Sequence, residues 1–304
     1  MNDVRKAAEI LRGGGLVAFP TETVYGLGAD ATNDLAVARI YEAKGRPTFN
    51  PLIAHVTGVE AALALAEFPS EGLELAAQFW PGPLTLVLPR KAGCPVSLLA
   101  SSGLPSLALR VPHHPLALEL IRETGRPIVA PSANRSGRIS PTTSAHVREG
   151  LGGKVEMILD GGPSAVGLES TIVSLLDATP RLLRAGGLAR EKIEEVLGRE
   201  LEAALAGPLH APGLLESHYA PHARMRLNAT DWRPGEVRLG FGIIDAPLNL
   251  SRKSDLVEAA ANLFSMLHQL DASGTSTIAV APIPETGLGE AINDRLRRAA
   301  APRE

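Results

Sequence analysis

The run Lys44-Gly45-Arg46-Pro47, followed at once by Asn50-Pro51-Leu52-Ile53-Ala54-His55, constrains the fold of this chain more than any other stretch. It closes a helix-like pattern of apolar residues (Leu35, Val37, Ala38, Ile40, Tyr41). Pro47 cannot continue a helix and drives Arg46 toward extended backbone. Leu52 to Val56 then reads as a short buried strand, with His55 its polar exception. A helix that turns sharply into a strand predicts an α/β fold. It also leaves two cations on a rigid corner, a plausible cradle for a polyphosphate. The same pair would equally complement the negative end of a helix.

Two other segments are punctuated similarly. Pro131-Ser132-Ala133-Asn134 follows the apolar run Pro127-Ile128-Val129-Ala130, placing Ser132 and Asn134 just past a strand end. Ligands gather at strand ends in open α/β sheets, although ordinary turns also favour Ser and Asn. Upstream, Leu16-Val17-Ala18 leads into Phe19-Pro20-Thr21-Glu22-Thr23-Val24-Tyr25-Gly26-Leu27-Gly28. This segment reads as a loop whose hydroxyls and glycines admit close backbone approach.

Periodicity predicts a first helix through Val4, Ala7, Ala8, Ile10 and Leu11, closed by Gly13-Gly14-Gly15. Strands are expected at 16–19, 52–56, 84–88, 106–111, 127–130, 154–159, 171–176 and 181–184. Helices are expected at 34–44, 58–67, 71–79, 114–124, 143–150 and 189–198. No helix separates the strands between 154 and 184, so the sheet should be mixed rather than purely parallel. From about 206 to 232, Pro, Gly and His replace any periodicity and mark a linker. After it, strands at 237–244 and 277–281 alternate with helices at 253–269 and 288–300. The expected division is a catalytic domain at 1–206, a linker or lid at 207–232 and a small α/β domain at 233–304.

The chain resembles the threonylcarbamoyl-AMP synthases, built on the YrdC-like domain. The matching pieces are Pro-Thr-Glu-Thr-Val-Tyr-Gly-Leu-Gly (20–28), Lys-x-Arg-Pro (44–47), Asn-Pro-Leu-Ile-x-His (50–55) and Trp-Pro-Gly-Pro-Leu-Thr (80–85). Arg-Val-Pro (110–112), Pro-Ser-Ala-Asn (131–134), Ser140-Pro141-Thr142, Glu-Ser-Thr-Ile-Val (169–173) and Arg184-Ala185-Gly186 follow in order. Each is weak alone; together they are specific. The resemblance implies an open, twisted, mixed α/β sheet with a second, smaller Rossmann-like domain. It also implies that L-threonine, bicarbonate and ATP become threonylcarbamoyl-AMP and pyrophosphate, the activated group passing to tRNA through other proteins. On that reading Lys44 and Arg46 are the catalytic cations, joined in ATP binding by Asn50, Ser106, Ser132, Asn134, Ser140, Arg184 and Tyr219. Thr23, His55, Arg110 and Ser170 form the threonine pocket, with Arg110 gripping the carboxylate bidentately. Without the family, Arg110 reads as a strand-end arginine and His55 as a core histidine. Mg²⁺ enters with ATP, held mainly by phosphates, with no protein metal site. Glu22 and Glu169 have no obvious partner in the sequence. The linker's Ser217-His218-Tyr219-Ala220-Pro221 is expected to close over the site, although Ala211 stands where the family usually has a serine. The chemistry-bearing motifs, the linker aside, precede residue 187, so residues 233–304 are expected to bear no catalytic group.

Composition bounds the alternatives. With 304 residues, 45% hydrophobic and 21% charged, the chain suits a two-domain globular enzyme. A net charge of −3 gives no footprint for avid nucleic-acid binding, and residues 233–304 carry nearly balanced charges. This weighs against an RNA-binding or ribosome-maturation module, and direct contact with tRNA stays open. A single cysteine, Cys94, excludes an intrachain disulfide and the zinc-finger segments of carbamoyl-transfer maturation enzymes. With no signal-peptide core and no membrane-length apolar run, the cytoplasm is the expected compartment.

Overall fold

A computed structural model describes residues 2–204 and 218–302. α1 (Asn2–Arg12) buries Val4, Ala7, Ala8 and Leu11. These pack in one apolar cluster with Leu120 and Ile121 of α5 (Pro115–Thr124). The main sheet has ten strands: β1 (Val17–Phe19), β2 (Gly26–Asp30), β3 (Ile53–His55), β4 (Leu84–Pro89), β5 (Ser106–Arg110), β6 (Ile128–Val129), β7 (Met157–Ile158), β8 (Thr171–Ser174), β9 (Arg181–Arg184) and β10 (Glu202–Ala203). Their order is β10-β9-β8-β4-β5-β3-β6-β2-β1-β7. β3 runs parallel to β5, and β4 parallel to β8, while β4/β5, β8/β9 and β2/β6 are antiparallel. The sheet is therefore mixed, as the missing crossover helices predict. α2 (Asp34–Lys44), α3 (Val59–Leu63), α4 (Ser70–Phe79), α6 (Ser144–Leu151) and α7 (Arg190–Leu197) complete the first unit.

Two local outcomes differ from the sequence reading. Residues 26–30 form a strand inside the sheet, not a loop. The glycines that suggested a loop serve packing: a Cβ on Gly28 would lie 2.8 Å from the Phe19 ring and 3.0 Å from Ile128 Cγ2. The helix before the cationic corner stops at Gly45, before Pro47 is reached. Gly45 is left-handed (φ 61°), and the amides of Gly45 and Arg46 both return to the Tyr41 carbonyl.

The second unit is a four-stranded, all-parallel sheet in the order β11-β14-β12-β13, formed by β11 (Arg224–Arg226), β12 (Val237–Gly240), β13 (Leu248–Asn249) and β14 (Thr277–Val280). α8 (Leu256–Ala272) and α9 (Leu288–Ala300) accompany it. β11 corrects the linker: it lies inside the expected 207–232 segment, so the second unit is under way by residue 224. Its Arg-Met-Arg sequence hid it, because an edge strand needs no apolar run. Residues 207–217 of the expected lid, including Ala211 and Ser217, lie outside the described residues. One apolar cluster joins the units: Val24, Ile139 and Leu168 pack with Leu263, Phe264 and Leu267, and Tyr219 belongs to it.

Candidate active site

Register places the site at the ends of parallel strands. His55 closes β3 and Arg110 closes β5, and the two are directly paired. Pro51, four residues before His55, accepts from Arg46 Nη2 at 3.0 Å. The extended chain between them spans roughly 13 Å. Across the sheet, Ser170 precedes β8 and Arg184 ends β9. A cavity with about 50 Å³ of free space lies among these residues. It is lined by Thr23, Arg46, His55, Arg110, Ser132, Ser170, Arg184 and Tyr219, with apolar walls from Val24, Leu52, Ile53 and Ala130. Eight of the residues expected at the site thus meet around one space.

Most of the cations and hydroxyls in it are held by neighbours. Arg46 is buried, and its Nη2 also donates to Asn50 Oδ1 at 2.6 Å. Burial, with Arg184 nearby, lowers its pKa to about 10. The Arg184 guanidinium donates to the Ser170 carbonyl at 2.8 Å and to Ser170 Oγ at 3.2 Å. Ser170 Oγ lies 2.7 Å from Thr85 Oγ1, and Thr23 Oγ1 lies 2.8 Å from Thr21 Oγ1. Burial holds His55 neutral, its pKa lowered to about 3 with help from Arg110. Its buried Nδ1 has no partner among the described residues. Arg110 donates through Nε to the Gly82 carbonyl at 3.2 Å and through Nη2 to Glu22 at 2.7 Å. The Trp-Pro-Gly-Pro motif thus serves to offer Arg110 a carbonyl.

The other expected residues stand behind the cavity wall. Lys44 is buried, and its ammonium donates to the carbonyls of Ser132 (2.6 Å) and Asn134 (2.5 Å). Burial and Arg46 hold its pKa well below the usual lysine value. Of the two corner cations, only Arg46 therefore lines the space. Asn50 is fully buried beneath Arg46, with Nδ2 unpartnered among the described residues. Ser106, opening β5, falls level with Pro51 by the Ile53–Ala108 register. Asn134 Nδ2 donates to the Arg135 and Arg138 carbonyls, both at 2.8 Å, and lines a neighbouring pocket with His146 and His268. Ser140 Oγ donates to Glu169 Oε1 at 2.5 Å. Among the described residues no three His, Cys, Asp or Glu side chains could share a metal ion.

Three features escaped the sequence reading. Glu22 and Glu169 do have partners: Glu22 binds Arg110 and the His113 amide, and Glu169 binds Arg295 at 2.9 Å. Arg295 lies on α9, so the second unit does send a charged group to the site's edge. His218, expected in the closing segment but not named as a site residue, also lines the cavity, with its pKa lowered to about 3 by burial. The chain around it is pinned from both sides. The His218 amide donates to the Arg298 carbonyl (3.2 Å) and the Ala220 amide to the Gly137 carbonyl (2.9 Å). A His-Tyr pair in a linker was the available signal for this role.

The profile of the Sua5, YciO and YrdC family, described as telomere recombination, matches residues 9–186. The profile of the threonylcarbamoyl-AMP synthase C-terminal domain matches residues 188–301. The threonylcarbamoyl-AMP synthase of Pyrococcus abyssi is 44% identical over 320 residues, covering 98% of this chain and 94% of the relative. That of Bacillus subtilis is 42% identical, covering 99% and 93%. The crystal structure of P. abyssi Sua5 complexed with L-threonine superposes with a TM-score of 0.90 at 42% identity, covering 98% of this chain and 94% of that one.

Proposed function

Because the chain belongs to the Sua5, YciO and YrdC family and carries the threonylcarbamoyl-AMP synthase C-terminal domain, we propose that it makes threonylcarbamoyl-AMP and pyrophosphate from L-threonine, bicarbonate and ATP. The product serves the threonylcarbamoyladenosine modification of tRNA, carried on by other proteins. The observation that carries this reading is the gathering of Arg46, Arg184, His55 and Arg110 around one cavity. The Arg46 end suits phosphates. The His55–Arg110 end, one short strand away, suits an amino acid.

The threonine nitrogen takes up the bicarbonate carbon with loss of water. An oxygen of that carbamate then attacks the α-phosphorus of ATP, and pyrophosphate leaves. Arg46 and Arg184 hold the phosphates. Lys44 spends two of its three N–H donors on Ser132 and Asn134, fixing that loop, and offers the third to phosphate. Asn50, Ser106, Ser132, Asn134 and Ser140 shape the nucleotide side directly or through these cations. Arg110 meets the threonine carboxylate through the guanidinium edge that Gly82 and Glu22 leave, a narrower grip than a free bidentate fork. Thr23, His55 and Ser170 complete that pocket. Neutral His55 suits it, since a second positive charge there would compete with Arg110. A Mg²⁺ carried by ATP would supply charge neutralisation to the phosphates, while the protein's cations hold the phosphates themselves.

Glu169, among the described residues the one carboxylate lining the cavity, is engaged by Ser140 and Arg295 and makes a poor base. Positioning and charge therefore carry the catalysis. The His218-Tyr219 segment is the lid. It fills the space that substrates need, since the remaining volume admits only a few waters. With the lid shut over bound substrates, water is kept from a hydrolysable acyl-adenylate.

The test is pyrophosphate release from ATP with threonine and bicarbonate omitted in turn. Release should require both, and threonine should exceed serine by about 1 kcal/mol, the worth of a buried methyl. Pyrophosphate appearing at an equal rate without threonine overturns the assignment.

A further inference from the structure

Arg295 is fully buried although it belongs to the second unit. Its Nε donates to Glu169 Oε2 at 2.9 Å, across the junction between the units, and its Nη1 to Asp294 at 2.7 Å. Its Cζ lies 5.2 Å from the centre of the Tyr219 ring, a cation–π contact. Nη2 finds no hydrogen-bond partner among the described residues. One guanidinium thus touches the cavity's carboxylate and the cavity's plug.

Glu169 could have other partners. It lines the cavity and interacts electrostatically with Arg184 and Lys44, two cations assigned above to phosphate. Left alone, its carboxylate would draw Arg184 to itself and repel a triphosphate. Burial pushes the Glu169 carboxyl up, but Arg295, Arg184 and the Ser140 hydroxyl outweigh it and hold the pKa at about 2. The carboxylate is therefore charged at neutral pH and needs a dedicated counter-charge.

We propose that Arg295 is a positioning residue of the ATP site: by pairing with Glu169 and backing Tyr219, it keeps the first unit's cations available to phosphate. The second unit then contributes to nucleotide binding through a side chain that need not touch ATP. This rests on the reading of the cavity as an ATP site.

The experiment is ATP binding by calorimetry, with kcat and KM for ATP, on the full chain and on R295K, R295M and R295M/E169Q. Removing the counter-charge should weaken ATP binding about tenfold or more in R295M, with KM changing more than kcat. R295K should recover part of the loss. R295M/E169Q, where a glutamine oxygen still accepts from Ser140 and no orphan charge remains, should bind within about threefold of the unaltered chain. Rescue by removing the opposite charge is what a merely structural arginine would not show at the level of ATP affinity. R295M that is folded and binds ATP normally overturns the proposal. So does a folded double variant that binds ATP tenfold worse than the unaltered chain. If R295M fails to fold, the double variant decides alone. Failure of the unaltered chain to bind ATP would sink the reading of the cavity instead.

Discussion

At the residue scale, the corner at 44–47 divides labour between two cations that look equivalent in sequence. Arg46 lines the cavity, whereas the Lys44 ammonium ties down the 132–134 loop. Arg46→Ala is expected to cost roughly 2–4 kcal/mol in kcat/KM, the usual loss for a charge-assisted contact in a transition state, and to lower stability as well, since buried oxygens of Asn50 and Pro51 lose their donor. Lys44→Ala should lose comparable activity and also destabilise the protein, since it orphans two carbonyls in a buried setting. Circular-dichroism melts beside pyrophosphate assays check this, and a Lys44→Ala variant with an unchanged melting temperature would show that its two carbonyl bonds do not hold the loop. Residue types and spacing singled out Arg46, whereas His55, Arg110 and Arg184 were brought to the site only by the family resemblance. Spacing left Glu22 and Glu169 without partners, because Arg110 and Arg295 reach them from 88 and 126 residues away. Contacts at such separations leave no periodic trace in the chain.

Elements were legible where their pattern was local. Amphipathic helices such as α1 and α2 and apolar strands such as β4 and β5 declare themselves by period. β2 and β11 do not, the first being rich in glycine and the second charged on a sheet edge. Gly186 shows how such an element is locked. It follows β9, and a Cβ there would sit 2.3 Å from the Glu169 carbonyl oxygen, 2.5 Å from Ser170 C and 2.5 Å from Thr171 N. All three are backbone atoms, so no side chain can swing aside. Gly186→Ala is therefore expected to push β9 off β8, at a cost of about 1–3 kcal/mol or more. Arg184 should be displaced from Ser170 along with it. A urea titration reads the stability and ATP titration reads the arginine. An unchanged denaturation midpoint would mean that the two strands yield more easily than their contacts imply.

For the whole molecule, the cavity belongs to both units, since residues of the second back its plug and its carboxylate. Neutral His55 and His218 are only 2% and 5% exposed. Their folded pKa values, both about 3, lie below the 6.5 of an unhindered histidine. The unfolded chain then binds more protons between those values. The stability these residues contribute is fully present above about pH 6.5 and is lost as pH falls toward 3. Each costs about 1.4 kcal/mol per pH unit once below 6.5. Unfolding free energy should fall by about 2–4 kcal/mol between pH 7 and 5, and a flat profile would show the pair is not held neutral. The chain from Tyr219 to Arg224 has one further consequence. Five residues reach roughly 17 Å at full stretch, and Arg224 is already paired to Thr277 in β14. On the proposed lid reading, the tyrosine should act as a captive stopper, able to swing out only on a short leash. An activated intermediate made behind it would then wait on that swing, and the slowest clock of the cycle is expected to be mechanical. Turnover that slows as glycerol thickens the solvent, under saturating substrates, would be its signature, and indifference to viscosity would return the clock to the chemistry.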